Sequence, residues 1–280
     1  MAHQEKYPVN RFLSDKFDIQ EISNLSLFLY DSMFVVMAHK TGDHSINAVH
    51  HYTLISAKDL EDIIEEDTLI NSSNIAGKLY VHNRLFSLVP TILFDPSHTG
   101  LYLNFSADLE TENDRWEICY EGIQNNTIQV VGATEKNLLG LLDSKIPELD
   151  LAHGASLTLA YFMEGRKDLL NQEIFIHIIP ESIYMAGFRG GELMVFNQFP
   201  VTKEADFLKY VFTVIQQLAF DRVHCKITLL GKLELIHCKL ENLQLYFKNI
   251  QETLPPQKIR YQPGAEEFKN TRLLEAFWLE

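Results

Sequence analysis

A chain of 280 residues, 46% hydrophobic and 22% charged, has ordinary globular composition and room for two modest domains or one large one. Its formal net charge of −14 argues against nucleic acid, whose binders use Lys and Arg to neutralise phosphates, and against an anionic membrane surface. The start, MAHQEKYPVNRF, lacks the apolar core of a signal peptide, no apolar run approaches membrane-spanning length, and Cys119, Cys225 and Cys238 are too few for a disulfide framework, so the sequence predicts a cytoplasmic protein without membrane insertion.

In chain order, Leu25 to Tyr30, Met33 to His39 and Ile46 to Leu54 read as three strands, with turns at Asp31-Ser32 and Thr41-Gly42-Asp43-His44. Ser56 then caps an acidic amphipathic helix with Leu60, Ile63 and Ile64 inward. Strands are predicted at Lys78 to Val81, Leu85 to Val89, Trp116 to Tyr120 and Thr127 to Val131, with Asn125-Asn126 turning the last pair. Two helical pieces follow, Glu135 to Lys145 and Ala155 to Arg166, interrupted at Pro147, and Gly165-Arg166-Lys167-Asp168 is a polar hinge.

The second half begins the pattern again. Ile174 to Ile179, Ile183 to Phe188 and Glu192 to Phe199 are predicted strands, turned at Pro180-Glu181-Ser182 and Arg189-Gly190-Gly191. Thr202 is the expected N-cap of a long helix whose apolar residues, Phe207 to Leu218, leave one narrow polar stripe at Lys209, Thr213, Gln216 and Gln217. Packing rather than propensity carries such a helix, because its β-branched residues cost tenths of a kcal/mol each while each large buried side chain gains roughly 1.5–3 kcal/mol. A strand from Cys225 to Leu230 ends at Gly231, a helix is predicted from Leu233 to Ile250, and Phe277 and Trp278 dock the tail. The order strand, strand, strand, helix, strand, helix thus occurs twice, as a repeat of elements and not of residues. The predicted domains are 1–170 and 171–280.

The chemical motifs are sparse. His224-Cys225 and His237-Cys238 suggest zinc, but neighbours on a strand face opposite ways and neighbours on a helix diverge by about 100°, so at most one ligand of each pair converges, and a closed site needs about four. Both cysteines read as core and no metal site is expected. His44, His50 and His51 read as surface histidines, and Gly187 to Gly191 as a hairpin turn rather than a phosphate loop. No Gly-x-Ser-x-Gly elbow and no cysteine in an electropositive setting is present, so no catalytic residue is assigned.

The runs FSLVPTILFDPSHTGLYLNF (86–105) and VFNQFPVTKEADFLKYVFTVIQQLAFD (195–221) resemble those of an uncharacterised bacterial family with an actin-like fold. Its fold relatives include pilus-assembly and type II secretion proteins. The resemblance implies an α/β, two-lobed actin-like ATPase architecture of duplicated ribonuclease-H-like domains. It maps a nucleotide cleft onto Asp31, Ser32, Glu181, Ser182 and Gly231. Actin-like ATPases hold phosphates on glycine-rich turns, because backbone amides must approach the oxygens. Neither matching turn here contains glycine, and Pro180 removes an amide. The sequence therefore predicts a non-catalytic binding or assembly module with a degenerate nucleotide site, no cofactor, a protein partner and room for a homodimer. The alternative is a divergent ATPase or phosphotransferase that binds Mg-ATP and works from the interlobe cleft with Asp31 or Glu181.

Overall fold

In the computed structural model, which describes residues 7–72, 75–104, 115–123, 126–164 and 171–279, the chain forms two compact units. Met1–Ser156 with Ile259–Phe268 makes one, and Leu157–Lys258 with Lys269–Glu280 makes the other. The hinge expected at 165–168 lies outside the described residues.

The first unit contains β1 (Val9–Leu13), β2 (Ile22–Tyr30), β3 (Met33–Lys40), β4 (Ile46–Thr53), α1 (Ala57–Glu66), β5 (Ala76–Val81), β6 (Phe86–Pro90), α2 (Thr99–Leu103), β7 (Trp116–Ile123), β8 (Ile128–Glu135), α3 (Lys136–Asp143) and β9 (Glu148–His153). The helix α4 (Gly154–Met163) starts here, and the division between the units falls within it. The main sheet runs β1-β4-β3-β2-β5-β9, with β2, β5 and β9 mutually parallel and the other pairs antiparallel. Its core joins Leu25, Leu27, Val36 and Leu79 of the sheet to Leu60, Ile63 and Ile64 of α1, the inward residues that the helical period predicts. A separate antiparallel sheet, β6-β8-β7, is inserted between β5 and β9.

The second unit contains β10 (Glu173–Ile179), β11 (Ser182–Arg189), β12 (Glu192–Pro200), α5 (Glu204–Gln217), β13 (Lys226–Leu230), α6 (Leu240–Leu243) and β14 (Ile250–Glu252). Its sheet order, β12-β11-β10-β13-β14, matches β4-β3-β2-β5-β9 strand for strand. The repeat extends to single hydrogen bonds. Leu54 N, just past β4, donates to Ser32 O in the β2–β3 turn (2.9 Å), and Val201 N, just past β12, donates to Glu181 O in the β10–β11 turn (2.9 Å).

Four sequence expectations need correction. The stretch Leu233 to Ile250 is not one helix: a 3-10 turn over Leu233–Ile236 ends at His237, whose φ of 54° leaves the right-handed region, and the chain re-enters as α6 and then as β14. A strand, β9, fills the place where only a helix break at Pro147 was expected, because Leu149 and Leu151 face the core beside β5. Lys203, not Thr202, is the N-cap of α5, and Thr202 Oγ1 instead donates to Asp206 (3.3 Å). His50 is buried, since β4 turns it to the α1 face, where its Nδ1 meets Asp67 at 2.6 Å.

Other expectations hold. In α5, Phe207, Val211, Val214 and Ile215 are buried, Leu208, Tyr210, Phe212 and Leu218 pack on the same core, and the polar stripe is exposed. Gly190 and Gly191, at φ 56° and 92°, make the β11–β12 hairpin. Burial pushes the thiols of Cys225 and Cys238 up to about 12 and about 11, as befits core cysteines. Trp278 is buried and donates Nε1–H to Glu164 (2.7 Å). Among the described residues no helix is long and apolar enough to cross a membrane.

Candidate functional site

In the first unit the chain leaves β2 for β3 on one side, and β5 pairs with β2 on the other. Such a reversal opens a crevice outside the carboxyl ends of the parallel strands. A cavity of about 500 Å³ occupies that position, within the range of small-ligand pockets. Tyr30 and Asp31 enter it from the end of β2, and His82 and Asn83 from the end of β5. Leu60 and Glu61 come from α1, Leu138 and Leu141 from α3, and Trp116 and Glu135 from the inserted sheet and its exit.

The polar floor is locked in place. The His82 ring stacks on Tyr30, with centroids 4.1 Å apart and planes at 14°. It does so because Gly154 has no side chain: a Cβ there would stand 2.2 Å from His82 Nδ1. Asn83 donates to Ala133 O (2.9 Å), while its Oδ1 accepts from Leu85 N (2.8 Å) and bonds His153 Nε2 (3.0 Å). His153 Nδ1 accepts from Ala155 N (3.0 Å), which leaves Nε2 as the N–H donor to Asn83 and fixes the neutral tautomer. Burial holds His153 down at about 3, so both ring nitrogens are committed to structure and none serves acid–base chemistry near neutrality.

The walls are apolar and acidic. Asp31, Glu61 and Glu135 contribute carboxylates, and among the described residues no Lys or Arg lines the cavity. Arg115 stands just outside, pairing with Glu135 and lying 4.9 Å over the Trp116 ring.

The structure distributes the expected nucleotide residues between the two units. Asp31 lines the cavity, and Ser32, beside it in the hairpin, spends its carbonyl on Leu54. Glu181, Ser182 and Gly231 belong to the second unit. Glu181 is exposed at φ 57°, whereas Ser182 is buried and its Oγ accepts from Gln198 Nε2 (3.0 Å). Gly231, at φ 94°, passes so close to Ile178 that a Cβ would lie 2.5 Å from that carbonyl oxygen, which accounts for glycine by packing alone. Strand pairing makes Val81 its counterpart in the first unit: Leu29 and Ile178 hold the same place before their turns, Leu29 pairs with Val81, and the register that pairs His177 with Leu230 sets Ile178 opposite Gly231.

Sequence reasoning did not single out His82, Asn83, His153 or Trp116. The available signal was the polar pair His82-Asn83 directly after the apolar run Leu79-Tyr80-Val81, at the carboxyl end of a strand.

The repeated sheet topology is that of an actin-like ATPase fold. A protein of that fold and unknown function from Bacteroides thetaiotaomicron VPI-5482 superposes with a TM-score of 0.73 over 85% of this chain and 93% of its own, at 15% identity. The PilM–PilN type IV pilus biogenesis complex contains a chain matching at TM-score 0.55 over 92% of this chain and 96% of its own, at 13% identity. The cytoplasmic domain of EpsL, of the Vibrio cholerae type II secretion system, matches at TM-score 0.42 over 85% of this chain and 88% of its own, at 9% identity. No curated protein matches the sequence. Residues 14–250 match the model of the family described as "Protein of unknown function (DUF3822)", and the chain belongs to that family.

Proposed function

We propose that this protein is a non-catalytic, cytoplasmic actin-like binding or assembly module whose nucleotide site is degenerate and whose partner is another protein. The observation that carries the reading is the chemistry of the switch-point cavity. It offers three carboxylates and, among the described residues, no Lys or Arg, which suits a polyanionic phosphate chain poorly. The turns support it too. The first, Asp31-Ser32, has no glycine, and the second replaces an amide donor with Pro180. These residues do not fit Mg-ATP. The PilM–PilN complex is a precedent for protein partnering on this fold.

Isothermal titration with Mg-ATP tests the reading. The expected result is no heat of binding at millimolar nucleotide. Tight, magnesium-dependent binding that Asp31→Ala abolishes would overturn it in favour of a divergent ATPase or phosphotransferase.

A further inference from the structure

A second cavity, of about 200 Å³, lies at the opposite end of the first unit's main sheet, where Ile22 at the start of β2 pairs with Lys40 at the end of β3. Its volume is several times the roughly 30 Å³ share of one water and below the roughly 300 Å³ at which drug-sized sites begin, so it suits a small molecule and not a nucleotide. Asn47 of β4 forms its interior. Ala38 pairs with Ala48 and His39 with Ile46, so Asn47 is the extra residue of a bulge, the device by which a strand re-aims a side chain. Asn47 is 2% exposed and lines the cavity, and its Oδ1 accepts no hydrogen bond among the described residues. A buried carbonyl oxygen left in this state calls for a donor from outside the chain.

The mouth carries both signs of charge. Lys40 is engaged by Glu21 at 2.9 Å, whereas Asp15 and Lys16, both exposed, make no ion pair among the described residues. Backbone bonds hold the frame: Ser14 N donates to Asn47 O (2.8 Å), Asp15 N to Pro263 O (2.9 Å) and Gln262 N to Ile46 O (2.8 Å). Gly264 lets the C-terminal segment close in, since a Cβ there would stand 2.6 Å from Leu13 O. The cavity is therefore pre-formed, which lowers the ordering cost of capture. An occupant must be small, bring a donor for Asn47, and offer an anion to Lys16 and a cation to Asp15. An ammonium has three donors, enough to serve Asp15 and Asn47 together.

We infer that this cavity binds a free α-amino acid, its ammonium shared between Asn47 Oδ1 and Asp15 and its carboxylate paired with Lys16. The site is separate from the switch-point cavity, and the inference does not rest on the binding-module reading.

The test uses the full chain and each common L-amino acid in turn at millimolar concentration, read first as a rise in melting temperature. The best binder is then titrated calorimetrically beside its decarboxylated amine and its deaminated acid, and only the zwitterion should bind. Lys16→Glu and Asp15→Lys, both at exposed positions, should weaken it by about tenfold or more, while Lys248→Glu, an exposed site in the second unit, should leave it unchanged. Asn47→Ala should weaken it as well, and if that variant does not fold the two surface reversals decide. Binding of no amino acid would overturn the inference by leaving the cavity to solvent. Equal binding of the singly charged counterparts would overturn it in favour of a general polar pocket, and equal losses from Lys248→Glu and Lys16→Glu would reduce it to the field of a chain of net charge −14.

Discussion

Individual histidines in this protein do opposite things because burial and partners differ. His50 sits against Asp67, which also accepts from Tyr52 Oη (2.5 Å) and from the amides of Leu69 and Ile70 (2.7 and 3.0 Å). Burial opposes ionisation of Asp67, yet the bonds from His50, Tyr52 and Ile70 prevail and hold it below the usual carboxylate range. His153 has no such carboxylate, and burial keeps it neutral at about 3. Its folded value lies below its unfolded value of about 6.5, so the unfolded chain takes up a proton first. The stability that His153 contributes is therefore complete above about pH 6.5 and is lost as pH falls toward 3, by about 1.4 kcal/mol per pH unit. Urea unfolding from pH 7 to pH 5 should show this decline, and His153→Gln should make it shallower by one proton's worth. An unchanged slope would mean that His153 is not buried as a neutral donor.

At the scale of elements, α5 shows how a helix rich in poor helix formers is held. Phe207 is fully buried among Ile176, Met185 and Val211, and Phe212 packs its ring 5.1 Å from Phe247. Phe207→Ala should cost about 3–5 kcal/mol by leaving a cavity in that core, whereas Gln216→Ala on the exposed stripe should stay within about 0.5 kcal/mol. Denaturant midpoints of the two variants give the comparison, and equal losses would place the helix in a different orientation. Helix α1 follows the same rule with an acidic outer face, and its first turn is set by Asp59, whose carboxylate accepts from Ile55 N (2.8 Å) and Ser56 N (2.9 Å).

At the scale of the molecule, the C-terminal segment serves each unit in turn. Residues 259–268 belong to the first, where Ile46 N donates to Arg260 O and Gln262 N to Ile46 O (both 2.8 Å) and Phe268 lies 5.6 Å from Phe12. Residues 269–279 belong to the second, where Trp278 meets Tyr161 at 5.8 Å and Glu164. Truncation after Lys258 should therefore raise hydrogen exchange both in β4 and in the part of α4 beyond Ser156. Protection lost in one unit alone would show that the segment secures only that unit.

Much of this architecture was legible in the residues. Apolar runs separated by short turns of two to four residues marked the strands from Leu25 to Leu54 and from Ile174 to Phe199, and the polar stripe from Lys209 to Gln217 marked α5, because those signals are local and periodic. The glycine-free turns at Asp31 and Glu181 were legible too. What escaped was set by partners far away in sequence. Leu149 and Leu151 become strand residues only beside β5, and Ile250 only beside β13, where parallel pairing supplies the hydrogen bonds that the local pattern does not announce. His50 reads as a surface residue until Asp67 closes on it. His82 and Trp116 read as ordinary strand-end residues until β5 and the inserted sheet bring them to one cavity. The sequence by itself determined the paired strand–helix order and the poverty of phosphate-binding turns, since both follow from neighbours along the chain. Only the tertiary structure decided that the switch point of the first unit is an open, acidic and apolar cavity, because its lining comes from residues 29 to 141 and no local window contains them together.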